Sequence, residues 1–110
     1  MNIHNLESGF RHTYDFPDGD STTDVSFSNH RNIVGFLLFK ARSSNDSVYA
    51  VYSFVCRDNG DMAFTEIQKL SFYDLDVSIS GGNDKFTVDL TDGSGGGTTG
   101  GTATMEAIYI

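Results

Sequence analysis

The stretch 75–90, Leu75-Asp76-Val77-Ser78-Ile79-Ser80-Gly81-Gly82-Asn83-Asp84-Lys85-Phe86-Thr87-Val88-Asp89-Leu90, decides the fold class. Leu75, Val77 and Ile79 alternate with Asp76, Ser78 and Ser80, and Phe86, Val88 and Leu90 alternate with Thr87 and Asp89. A period of two sends apolar side chains to one face of a strand and polar ones to the other. Between the two halves, Gly81-Gly82-Asn83-Asp84 is built of residues that turn a chain tightly. The segment reads as an antiparallel hairpin with one dry and one wet face.

The same period extends outward in both directions. Upstream, Ile33 to Ala41 and Val48 to Cys56 flank the polar turn Ser43-Ser44-Asn45-Asp46. Both runs are apolar at odd and even positions, so they read as a central hairpin covered on both sides. Asp58-Asn59-Gly60-Asp61 marks the next turn before Met62 to Ile67. Phe10, His12, Tyr14 and Phe16 alternate ahead of Pro17-Asp18-Gly19-Asp20, and Val25 and Phe27 mark a short strand. Thr102 to Ile110 forms the last one. No segment repeats its apolar positions at 3.6. The expectation is all-β: about eight antiparallel strands in a two-sheet sandwich, jelly-roll-like, with an immunoglobulin-like sandwich as the alternative. The hairpins predict a core of Ile33, Val34, Phe36, Leu38, Val51, Phe54, Val88 and Leu90.

With 110 residues there is room for one domain, 1–110, with a possible N-terminal arm over 1–9 and a Gly-rich loop over 93–101. Phe (9) and Tyr (5) are too numerous for a disordered chain. The net charge is −8, and the seven Lys and Arg are scattered singly. No basic patch forms, which argues against nucleic acid and against anionic membrane surfaces. The acidity reads as solubility and is compatible with a basic partner. Cys56 stands alone, so no internal disulfide is expected, and its apolar surroundings make it a small buried hydrophobe. The first residues carry no signal-peptide pattern, and no apolar run reaches membrane length.

Chemistry-bearing constellations are sparse. In the Gly-rich segment, Gly100-Gly101 leads into Thr102-Ala103-Thr104 and a strand. A phosphate loop would continue with Lys, Ser or Thr and a helix. Asp18, Asp20, Thr22 and Asp24 imitate the start of a calcium loop, but Thr23 and Asn29 stand where Gly and Glu are needed. His4, His12 and His30 are not at zinc spacing. No serine sits in a nucleophile elbow, and no base or orienting acid accompanies a nucleophile. The expectation is no enzyme, no metal and no cofactor. Tyr49, Tyr52, Tyr73 and Tyr109 are candidates for a sugar platform, against core packing as the simpler role.

With its short strands, its Gly, Ser, Thr and Asp turns, its Gly-rich loop and a strand reaching the last residue, the chain resembles small β-sandwich proteins of bacteriophage particles. These are capsid decoration (cement) proteins and tail-fibre tip domains. The resemblance is one of style and carries no motif. It implies a non-enzymatic structural protein of the virion, made in the host cytoplasm, homo-oligomeric with a trimer favoured, and docked on a major capsid or tail protein. The alternative is a receptor- or carbohydrate-binding module such as a tail-fibre tip. The assembly interface is expected at Ile3, Leu6, Phe10, Ile108, Tyr109 and Ile110, because an apolar final strand needs a cover.

Overall fold

The computed structural model describes residues 7–17, 19–92 and 100–110, with the side chains of β1 described from Gly9 on. These residues form eight strands: β1 (Glu7–Phe16), β2 (Ser21–Ser26), β3 (Ile33–Ser43), β4 (Asp46–Cys56), β5 (Met62–Phe72), β6 (Leu75–Gly81), β7 (Lys85–Asp92) and β8 (Gly101–Tyr109). They assemble into two antiparallel sheets, one ordered β1-β8-β3-β4-β5 and the other β2-β7-β6. The all-β, two-sheet reading holds. The predicted hairpin at 75–90 is β6 and β7, paired from Leu75↔Asp92 to Gly81↔Phe86.

The strands β3, β4 and β5 form a meander, and β8 returns beside β3 to give the order 8-3-4-5, a Greek key. β3 and β4 pair along eleven positions through the turn at Ser44 and Asn45, where Ser44 takes φ 55°. Because the whole meander stays in one sheet, the sheets are unequal, five strands against three. Residues 1–6 of the expected arm and 93–99 of the expected glycine loop lie outside the described residues.

The core lies between the sheets. The smaller sheet contributes Val25, Leu75, Val77, Ile79, Phe86, Val88 and Leu90. The larger contributes Leu37, Phe39, Ala41, Val48, Ala50, Tyr52, Phe54 and Met105, among others. Phe27 centres an aromatic group at one end, with ring centroids 4.8 Å from Phe10 and 5.7 Å from Phe54. Phe64 continues it, 5.5 Å from Phe54 and 5.2 Å from Phe86. Edge-to-face and offset contacts of this kind are favourable beyond simple burial.

Glycines allow backbones to approach where a side chain would block them. A Cβ on Gly35 would stand 2.0 Å from the Ile108 carbonyl oxygen, and one on Gly81 1.9 Å from that of Met62. The second approach seams the two sheets: Met62 N–H donates to Gly82 O at 2.9 Å, and Asp84 N–H donates to Gly60 O.

The predicted core needs one correction. Phe54, Val88 and Leu90 are buried, and Ile33 and Val51 are half-buried, but Val34, Phe36 and Leu38 face solvent. The inward set on β3 is Leu37, Phe39 and Ala41. A strand apolar at both parities has no phase of its own. Among the described residues only one side of this sheet has a partner layer, so one parity stays outside.

Candidate interaction face

The outer face of the five-stranded sheet is built from alternate residues of each strand. Outward positions on β3 are Val34, Phe36, Leu38, Lys40 and Arg42; on β4 they are Ser47, Tyr49, Val51, Ser53 and Val55. The register sets them side by side: Phe36 stands opposite both Ile108 and Ser53, Leu38 opposite Glu106 and Val51, and Lys40 opposite Thr104 and Tyr49. On β5, Ala63 and Thr65 face outward. A register shift at Ile67, opposite Val51 and Tyr52, then brings Gln68, Leu70 and Phe72 onto the same face. A bulge of this kind turns the strand and blunts an edge that would otherwise pair freely.

The result is an apolar surface open to solvent. Phe36 is 45% exposed, Leu38 40% and Tyr49 46%, with Val34, Val55, Leu70, Phe72 and Ile110 similarly open. Tyr49 and Phe72 meet edge to face at 6.0 Å. A depression of about 420 Å³ lies in this face, with Leu38, Tyr49, Val51 and Leu70 on its apolar side and Lys40 and Gln68 among its polar lining. Arg11 and Glu106, joined at 3.1 Å, also line it. None of the fifteen outward positions named on β3, β4 and β5 is Asp or Glu, in a chain with fifteen acidic residues.

The residues expected at an interface are divided by the fold. Ile3 and Leu6 lie outside the described residues. Phe10 faces inward, part-buried against Phe27, and Tyr109 is 6% exposed in the core. Ile108 lies on the outer face, half-buried beside Phe36, and Ile110 is exposed, its N–H and C=O paired with Val34. Odd-even alternation separates these neighbours, which the sequence reading grouped by proximity. It also holds the signal that reading missed. Lys40 and Arg42 must point outward, and stepping back by twos from them gives Leu38, Phe36 and Val34.

Of the sugar-platform candidates, Tyr52 and Tyr109 are buried, while Tyr49 and Tyr73 are exposed. Burial, with the charge of Glu66 second, pushes the Tyr52 hydroxyl up to about 12.

The aspartates at the turns have structural partners. Asp61 accepts from Asn83 Nδ2 at 2.8 Å and from Asn59 Nδ2 at 3.1 Å. Asp24 accepts from Thr87 at 2.8 Å and from Lys85 at 3.2 Å, and both hold its carboxyl below the ordinary range. Asp20 accepts the Asp92 N–H, and Arg31 binds Asp84 at 2.7 Å. Among the described residues, no three His, Cys, Asp or Glu side chains converge as metal ligands do.

His12 packs between Phe10 and Tyr14, and His30 stacks 4.6 Å from Phe27 while its Nδ1 donates to Ser28 O. The Cys56 thiol is buried 3.8 Å from Gly60 O, and burial raises its pKa, the opposite of a reactive thiolate. What the outer face offers is contact. A broad apolar floor with a few polar groups can bury area against another surface. No protein-family model matches the chain, and no curated protein matches it in sequence.

Proposed function

We propose that the protein is a non-enzymatic structural component of a virus or phage particle, an oligomeric β-sandwich that decorates or cements a capsid. The observation that carries this reading is the uncovered apolar outer face of the five-stranded sheet. Folded monomers seldom leave a contiguous apolar surface of more than a few hundred Å² open, and larger patches mark contact sites. The style of the chain, shared with small virion sandwiches, supplies the setting: a major capsid or tail protein as partner, and the virion as location. The test is co-sedimentation of the purified protein with particles from its source. Binding that saturates at a fixed number of copies per particle supports the role. Failure to bind any particle fraction contradicts it.

A second reading has its own observation. Tyr49 borders the depression beside Lys40, Gln68, Arg11 and Glu106, an aromatic flank with hydrogen-bonding groups that suits a sugar ring. On this reading the protein is a receptor- or carbohydrate-binding module such as a tail-fibre tip. Glycan-array binding that is lost in Tyr49→Ala would favour it over the structural role.

A further inference from the structure

We infer that the outer face of the five-stranded sheet is covered by a second copy of this same chain, with β3 at the centre of the contact. The inference rests on the structural reading above and names the occupant of its contact face. Area is the first argument. Val34, Phe36, Leu38, Tyr49, Val55, Leu70 and Phe72 are each 40–51% exposed. Together with Ile108 and Ile110 they leave on the order of 700 Å² open, close to the ~800 Å² per partner of a stable protein–protein contact.

Composition is the second argument. Surfaces that pair permanently with their own kind are more apolar than those that meet foreign partners transiently, and their centres are depleted in charge. Here a block of Val34, Phe36, Leu38, Val51, Val55 and Ile108 sits at the centre, with the charges at one end and along the β1 side.

Electrostatics is the third. Two copies of a chain carrying −8 repel each other on most approaches. They repel least through the part of the face made by β3, β4 and β5, whose outward positions carry no carboxylate; Glu106 on β8, beside Leu38, is already held by Arg11 at 3.1 Å. That face also holds two cations, Lys40 and Arg42, without an ion pair among the described residues. Among the described residues Arg11, Arg31, Lys69 and Lys85 each sit in a salt bridge. Lys40 makes none, and Arg42 donates only to the Ser44 carbonyl. A second acidic copy brings the carboxylates that these rim cations lack. Rim charges of this kind orient and speed docking more than they tighten it.

The experiment is sedimentation velocity with light scattering on the full chain, from low micromolar to near-millimolar concentration. It compares the wild type with Phe36→Glu on the outer face and Ser78→Glu on the outer face of the three-stranded sheet. The wild type and Ser78→Glu are expected to associate to one defined oligomer. Phe36→Glu should weaken association by about thirtyfold or more, the loss typical of a central contact residue, with its strand spectrum retained. Should Phe36→Glu fail to fold, the milder Phe36→Ser carries the same comparison. A wild type that stays monomeric throughout, or a folded Phe36 variant of wild-type mass, overturns the inference. A monomer that still saturates particles would overturn the self-contact and leave the structural role standing. An oligomer that binds no particle would keep the self-contact and remove the particle role.

Discussion

The two outer faces of this sandwich follow opposite rules. On the three-stranded sheet, the outward residues of β2, β7 and β6 are Thr, Ser, Asp and one Lys, and they pair across the strands. Thr22 donates to Asp89 at 2.7 Å, Thr87 donates to Asp24 at 2.8 Å, and Lys85 meets Asp24 at 3.2 Å. On the five-stranded sheet, the equivalent positions of β3 and β4 are largely Val, Phe, Leu and Tyr. Both sheets share one core, so core packing cannot explain the difference. A face made for water satisfies its polar groups laterally and needs no partner. A face made of half-exposed aromatics and aliphatics is stable in water only at the expense of solubility, and contact relieves that.

Two adjacent leucines on β3 face opposite ways. Leu37 is 1% exposed and points into the core, whereas Leu38 is 40% exposed and points out. Leu37→Ala should cost about 2–5 kcal/mol. Leu38→Ala should cost less than about 1 kcal/mol in dilute, unassociated protein. Urea unfolding at low concentration measures both. Equal losses would mean that the outer face is already covered within the monomer.

That pair also shows how far the fold was legible in the sequence. Leu75 to Leu90 revealed its phase because Asp, Ser and Thr mark the wet side at every second step. The run Ile33 to Phe39 revealed that it was a strand but not which way it faced, since both parities are apolar. Periodicity reports contrast, and a strand with two apolar faces has none. Only Lys40 and Arg42, at its end, carried the phase. The five-to-three division was out of reach, because it depends on β8 choosing β3 and on β6 leaving the meander. Those pairings join residues far apart in sequence. Phe10 and Tyr109, grouped with the terminal residues in the sequence reading, lie on the inner side for a simpler reason: nearness to a terminus says nothing about which side of a strand a residue occupies.

Stability at the start of β4 should respond to pH. Asp46 lies at the start of β4, buried, with one oxygen lacking a hydrogen-bond partner among the described residues. Burial raises its pKa first, and the charge of nearby Asp92 adds to this, with Asp74 after it. The folded state therefore holds the Asp46 proton more tightly than the unfolded chain does. Its contribution to stability is fully present below the ordinary carboxyl pKa of 3.8 and is lost as pH rises through the raised folded value. Asp46→Asn keeps the shape without the charge. It should raise the melting temperature at pH 7 and flatten its decline from pH 4 upward. A mutant melting curve that tracks the wild type at every pH would contradict this assignment.

Smaller effects separate the inner face from the outer one. The Tyr52 hydroxyl is buried without a hydrogen-bond partner among the described residues. Tyr52→Phe should then be neutral or stabilising by up to about 1 kcal/mol, and a clear loss would indicate a partner for that hydroxyl. On the wet face, Thr22→Ala removes one exposed hydrogen bond to Asp89 and should cost about 0.5–1 kcal/mol, with oligomeric mass unchanged. A change in mass would place the contact on the three-stranded sheet instead.

On the proposed reading, the outer face of the five-stranded sheet is where this protein meets others. Hydroxyl-radical footprinting, read by mass spectrometry on dilute protein and on the assembled state, tests it most directly. Phe36, Leu38, Tyr49 and Phe72 should label strongly in dilute protein and become protected on assembly. Tyr52 and Phe86, buried in the core, should label weakly in both, and Tyr73, 78% exposed at the β5–β6 turn, serves as the exposed reference. Unchanged labelling of Phe36 and Tyr49 on assembly, with protection appearing elsewhere, would contradict the account.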